Sequence, residues 1–231
     1  MSKKIIFTKT LPVSDEYFPT PASTLLPEWY KKTKSYVDDK KEPNFVSATT
    51  ATIKKCLPVF DAITGGYIIP TYTDLWIKKT EGNEIHYLTS NEIDIQFHPT
   101  PQAPYHPFMN QHPYPKWINP WSIETPKGYS CLFIPPVHGG NEYFQIAEGI
   151  VDTDRYTSPV NFPFVLKDTE FTGLIPAGTP MVQIIPFKRD SWKQELGSEI
   201  NEKKSTETTR LLSSQFYDRY KKMFWTSKSF K

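Results

Sequence analysis

Gly149-Ile150-Val151-Asp152-Thr153-Asp154-Arg155-Tyr156 is the stretch on which the fold of this chain turns. It opens as a short apolar run and ends in two carboxylates two residues apart. On a β-strand, positions i and i+2 share a face, so Asp152 and Asp154 are placed to orient one water or one divalent cation between them. Aspartate also accepts hydrogen bonds from nearby backbone N–H groups and starts turns, so the same residues read equally as a strand that ends in a tight turn. Strand-like runs continue on both sides, at Gly128 to Ile134, Tyr143 to Val151, Val160 to Leu166 and Thr179 to Phe187. Upstream lie Thr52 to Phe60, Gly66 to Tyr72, Leu75 to Lys78, Ile85 to Thr89 and Ile93 to Phe97, punctuated by Thr64-Gly65-Gly66 and Glu81-Gly82-Asn83. This order predicts a meander. The alternation Ile93-Asp94-Ile95-Gln96-Phe97 predicts a half-buried strand with its odd positions inward.

The composition agrees with a mainly β chain. Of 231 residues, 15% are aromatic and 22 are proline, against 10 glycines, a balance that favours strands and extended segments over a helical bundle. The chain divides into an N-terminal arm with a short helix over 1–50, a single β domain over 51–190 and a helical tail over 191–231. Pro12, Pro19, Pro21 and Pro27 break up the arm, and Pro27-Glu28 suits the start of a short helix through Trp29-Tyr30. In the tail, Leu212, Phe216, Tyr220 and Met223 form a stripe at helical spacing, with Ser205 or Thr206 as cap and Glu207 in the first turn. Such a helix packs on its own domain or on a neighbouring subunit.

Charge is nearly balanced, 27 basic against 25 acidic residues, so nucleic acid is not the expected partner. No apolar run of about 18 residues is present, and the N-terminal Met-Ser-Lys-Lys-Ile-Ile-Phe lacks the apolar region of a signal peptide. No membrane role is expected, and the expected location is the cytoplasm.

Residues 98–121 carry three His-Pro pairs, at His98, His106 and His112, with Trp117 and Trp121 close behind. Proline removes ladder donors and restricts the residue before it, so this segment is expected to be an ordered, extended loop pinned by aromatics and offered to an interface. His98, His106, His112 and His138 would converge on a metal only if the loop folded back, and their spacing is no known ligand motif. The expectation is structural histidines and no metal. Cys56 and Cys131 form no Cys-x-x-Cys pair, and each lies in a strand-like run, which predicts two buried free thiols.

Beyond these readings, Tyr129 to Arg189 resembles the core of the dUTPase and dCTP-deaminase families. Phe133-Ile134-Pro135-Pro136, Gly149 to Tyr156, Val160 to Leu166 and Gly178-Thr179-Pro180-Met181-Val182-Gln183-Ile184 follow that family's motifs in order and spacing. The resemblance implies a β-clip or jelly-roll-like barrel or sandwich, and a trimer. It places Asp152 where the family activates water, with Asp154 in support and magnesium bridging phosphates. It departs from the family at Pro136 and Val137, which replace the phosphate-holding Arg-Ser pair, and in the absence of a glycine-rich C-terminal arm. At whole-chain level, Leu26-Pro27-Glu28-Trp29-Tyr30-Lys31, Lys54-Lys55-Cys56-Leu57-Pro58, Gly65 to Pro70, Ile118-Asn119-Pro120-Trp121, Thr125 to Phe133 and Pro186 to Arg189 look like an uncharacterised conserved family of large, often marine, tailed bacteriophages and some bacteria.

Together these resemblances imply a phage-encoded structural or binding protein of capsid-decoration type. It would be a homo-oligomer on a dUTPase-like core without its catalysis, found in the host cytoplasm or the virion with other virion proteins. The alternatives are a dUTPase-type nucleotide enzyme using Asp152, and a histidine-based metal-dependent β-barrel enzyme.

Overall fold

A computed structural model describes residues 3–37, 51–82, 84–99, 102, 114–213 and 219–231. It divides into two units, one of Met1–Thr33, Ala62–Arg189 and Phe230–Lys231, the other of Lys34–Asp61 and Asp190–Ser229. All strands belong to the first unit: β1 (Ile6–Lys9), β2 (Thr20–Pro21), β3 (Tyr67–Pro70), β4 (Leu75–Lys79), β5 (Ile85–Leu88), β6 (Ile95–His98) and β7 (Tyr114–Trp117) precede β8 (Trp121–Glu124) and β9 (Tyr129–Ile134). They continue as β10 (Phe144–Ile146), β11 (Gly149–Val151), β12 (Phe162–Leu166), β13 (Gly173–Ile175) and β14 (Pro180–Lys188). Four antiparallel sheets result, in the orders β11-β9-β14-β3-β2, β10-β12-β7-β6, β13-β4-β5 and β1-β8, with no closed barrel among the described residues. The mainly β expectation therefore holds.

The meander does not. β4 and β5 form a hairpin, but β3 pairs with β14 and β2, while β6 pairs with β7. Short turns between successive runs were compatible with local pairing. The partners are instead chosen by burial of the β14 and β12 apolar runs. β6 is an edge strand, so of its expected inward positions only Ile95 is buried, while Ile93 and Phe97 are exposed. The nominally outward Asp94 is 2% exposed.

Aromatic packing ties the five- and four-stranded sheets together. Phe133 on β9 meets Phe162 on β12 at 5.8 Å across the two sheets, and within the four-stranded sheet Trp117 on β7 stacks on Phe164 of β12 at 5.8 Å. Offset and edge contacts of this kind add to the area that such large rings bury. Trp117 and Trp121, expected in an interface loop, are instead fully buried core residues. The prolines around them are accommodated by Asn119: its side chain accepts from Trp121 N–H at 3.1 Å and donates to Trp121 C=O at 2.8 Å, replacing ladder bonds beside Pro120. Of the remaining loop residues, His106 and His112 lie outside the described residues.

The N-terminal segment is also part of the β unit. β1 pairs with β8 along Ile6↔Glu124 to Lys9↔Trp121, and Phe7 packs edge-on against Tyr67 at 5.3 Å. The expected short helix appears as α1 (Glu28–Lys32), with Glu28 bonded to Lys31 at 2.7 Å.

Gln183, at the centre of β14, is buried and spends its whole side-chain amide on backbone. Its Oε1 accepts from Val137 N–H at 2.8 Å, and its Nε2 donates to Ala62 C=O at 2.9 Å and Gly65 C=O at 2.6 Å. The neighbouring Gly66 has φ +74°, and a Cβ there would lie 1.9 Å from Ile184 O, so only glycine admits this approach.

The run around Cys56 is helical rather than a strand. After a 3-10 turn at Ile53–Lys55 comes α2 (Leu57–Thr64), whose first turn accepts Pro58 because no N–H is required there. Cys56 is consequently exposed, whereas Cys131 is buried as expected and its thiol is pushed up to about 11 by desolvation. In the second unit the tail forms α3 (Glu199–Ser213) and α4 (Arg219–Met223). The expected caps Ser205 and Thr206 fall inside α3. The start is made instead by Ser198, whose N–H and Oγ donate to Asn201 Oδ1 at 2.9 and 2.8 Å. In the same unit Asp61 accepts from Trp225 Nε1 at 2.9 Å and Lys228 Nζ at 2.6 Å. No helix among the described residues is long and apolar enough to cross a membrane.

Two measurements check this account. Gln183→Leu strands one N–H and two C=O groups at about 1–3 kcal/mol each, so it is expected to destabilise by at least about 3 kcal/mol and to lower Tm by about 10 °C. Asp94 presents the opposite case. Tyr72 OH donates to its Oδ1 at 3.2 Å, but Oδ2 is buried with no hydrogen-bond partner among the described residues, and burial raises its carboxyl above the ordinary value. A raised carboxyl contributes stability that is present below the unfolded value of about 3.9 and is lost as pH rises through the folded value. Asp94→Asn is therefore expected to melt above the wild type at neutral pH, with the gap closing toward about pH 4.

Candidate functional site

The two carboxylates singled out by sequence do meet, although not on a strand face. β11 ends at Val151, and residues 152–156 form a turn in which Asp152 C=O accepts from Arg155 and Tyr156 N–H, both at 2.9 Å. The turn is anchored beneath by Thr153, whose hydroxyl pairs with that of Thr125 at 2.7 Å and donates to Cys131 Sγ at 3.4 Å. This anchoring turns Asp152 and Asp154 toward the end of β14, where Arg189 stands.

Arg189 holds both. Its Nη1 and Nη2 donate to Asp154 Oδ1 and Oδ2 at 2.7 and 2.5 Å, a bidentate fork, and Nη1 lies 3.0 Å from Asp152 Oδ1. The same Nη1 also donates to Tyr129 C=O at 3.2 Å and Ser130 Oγ at 3.0 Å. The Ser130 hydroxyl in turn donates a hydrogen bond to Asp152 Oδ1 at 2.7 Å. Gly128, at φ +86°, aims its N–H at Asp154 Oδ2 over 2.8 Å, while its C=O accepts from Arg189 N–H at 2.9 Å. Two chain segments, at Tyr129–Ser130 and Asp152–Asp154, thus converge on one guanidinium, a geometry that suits arginine because its planar fork matches a carboxylate.

The electrostatics follow from these contacts. The Asp154 side chain is 3% exposed, and the Arg189 guanidinium, aided by the Gly128 N–H, holds its carboxyl down to about 2. Asp152, with a side chain 51% exposed, is lowered first by the Ser130 hydroxyl and then by Arg189. A general base works best when its pKa lies near the operating pH and a lone pair faces the substrate. Asp154 has neither property, because both oxygens are engaged and its affinity for protons is suppressed. Asp152 keeps one oxygen toward solvent, and the cation beside it is already shared.

The other candidates do not join this cluster. Pro136 and Val137 form a turn in which Pro136 C=O accepts from Gly139 N–H at 3.2 Å and Val137 N–H is bound to Gln183, so the turn is occupied by internal bonds. His138, at φ +60°, uses its C=O to accept from Trp29 Nε1 at 2.8 Å. His98 Nδ1 is 2.5 Å from Gln102 Oε1. Among the described residues no group of three His, Cys, Asp or Glu side chains is arranged to hold a metal ion.

Arg189 and Ser130 were missed as site residues by sequence reasoning. The usable signal was scarcity: the chain has four arginines among its 27 basic residues, and one of them closes the longest strand. In a chain that otherwise uses lysine, an arginine there marks a position needing a two-pronged donor.

A lowered carboxyl gives stability that is present above its unfolded value of about 3.9 and is lost as pH falls through the folded value of about 2. Arg189→Met removes the cause. It is expected to lower Tm at neutral pH and to flatten the loss of stability between about pH 4 and 2, measured by thermal melts across that range. An acid limb as steep as that of the wild type would show that Asp154 draws its acidity elsewhere.

No protein-family model matches the chain, and no curated protein sequence matches it.

Proposed function

We propose that the protein is a non-catalytic, self-associating structural or binding protein, phage-encoded and of the capsid-decoration type, built on a dUTPase-like β-clip core. The observation that carries this reading is the Asp152–Arg189–Asp154 cluster. Its cation and the buried carboxylate are spent on each other, so it works as a latch between β9, β11 and the end of β14 rather than as a water-activating site. The Pro136–Val137 turn supports the same conclusion, since it offers neither cation nor hydroxyl to a phosphate. The adjacency of β11, β9 and β14 supports a β-clip-like core. On this reading a trimer is the favoured assembly, and the host cytoplasm or the virion is its location.

Under this reading, dUTP and the other nucleoside triphosphates with magnesium are neither hydrolysed nor able to raise Tm, and Asp152→Asn leaves both results unchanged. Light scattering after size exclusion is expected to give a multiple of the 26.8 kDa chain, and mass spectrometry to find the protein in purified particles. Hydrolysis abolished by Asp152→Asn would establish the nucleotide-enzyme alternative instead.

A further inference from the structure

One face of the β13-β4-β5 sheet carries an apolar row that the fold leaves open. Along β4, Leu75 and Ile77 are buried and Trp76 and Lys78 point outward. The register aligns Leu174, Trp76 and Leu88 as direct cross-strand neighbours on that outer face, with Trp76 and Leu88 exposed. One rung further along, about 6.6 Å away at two residues of strand rise, Lys78 faces His86. His86 Nε2 lies 3.9 Å from Glu84 Oε2. An aliphatic-aromatic row bordered by Lys78, His86 and Glu84 is the composition of an interface core with a polar rim.

The same chain carries a segment of matching character. Residues 190–198, which follow the last residue of the β unit, have neither helix nor strand, and every one of them is exposed. Trp192 is 92% exposed and Leu196 95% exposed, and Ile200 at the start of α3 follows at the same four-residue interval. These three are the most exposed large apolar side chains among the described residues, and they follow one another in the chain. Asp190, Glu195, Glu199 and Glu202 outnumber Lys193 there, so the segment is apolar with a net acidic border, which complements Lys78 at the edge of the sheet row.

We propose that the Trp192–Ile200 segment of one copy docks on the Leu174–Trp76–Leu88 row of a second copy, with Glu199 set against Lys78 and His86. The inference rests on the self-association reading above and names its contact. The two surfaces are different patches of one chain, so the contact is head-to-tail, and repetition closes a ring when the rotation allows it. A second copy is the committed occupant because this chain supplies both surfaces with complementary charge.

The test mixes equal amounts of ordinary and 15N-labelled full-length chains, each carrying photoreactive benzoylphenylalanine in place of Trp192. Irradiation is expected to give cross-linked peptides pairing residues near 192 with residues 75–88, in which the two halves carry different labels. Trp192→Ser with Leu196→Ser, both at solvent-exposed positions, is expected to weaken association at least about tenfold with an unchanged circular dichroism spectrum. Lys78→Glu is expected to weaken association in the same way, and adding Glu199→Lys to restore it. Cross-links confined to one label, or an oligomer that forms without cross-links to residues 75–88, overturn this docking while leaving self-association standing. A monomer at all concentrations overturns both.

Discussion

The amide side chain of Gln183 is the contact from which the β unit is organised. It lies in the middle of β14, the only strand in its sheet that pairs with both β9 and β3, and its three hydrogen bonds reach the end of α2, the turn before Gly66 and the turn after β9. None of those backbone groups has regular ladder geometry. Without a buried amide to receive them, each would be desolvated without return. Burying a polar residue in the central strand is acceptable because every donor and acceptor on it is used. The close approach at Gly66 follows from the same arrangement, since the chain must come near β14 for Gly65 C=O to reach the amide.

β14 connects this interior clamp to the candidate site. Four residues separate Gln183 from Lys188, the last residue of the strand, and Arg189 follows at once. The strand therefore carries an amide at its centre and is followed by a guanidinium, one binding neutral backbone groups and the other two carboxylates. The geometry explains why Asp152 and Asp154 resemble a catalytic pair in sequence while sharing one guanidinium in the fold. Two carboxylates close together repel, and a cation between them removes the repulsion; the bidentate fork onto Asp154 also fixes the turn that presents Asp152. A water-activating carboxylate would need the reverse, a raised or mid-range proton affinity and an open lone pair.

The strands that carry strong apolar runs, β3, β9, β12 and β14, were readable because runs of Ile, Val and Phe bounded by Gly and Pro have few other uses. Their partners were not, since pairing across more than a hundred residues, as between β1 and β8, leaves no local pattern. Proline misled in two directions. Around Trp117 and Trp121 it suggested a loop, because the compensating bonds come from Asn119 and have no periodic signature. Around Cys56 the apolar run suggested a strand, although Pro58 suited the first turn of a helix better than the middle of a ladder. At the site, the carboxylates were visible as a motif, while Ser130 and Arg189 were hidden by lying 22 and 35 residues or more from them in the chain.

The contrast between the two cysteines gives the molecule a built-in counter. In the native state Cys56 stands at the surface, while Cys131 is enclosed beneath Thr153 and its thiolate form is suppressed. A thiol reagent therefore titrates one sulfur on the folded chain and two on the unfolded one. The rate at which the second is consumed times the opening of β9 around Cys131, without any engineered probe.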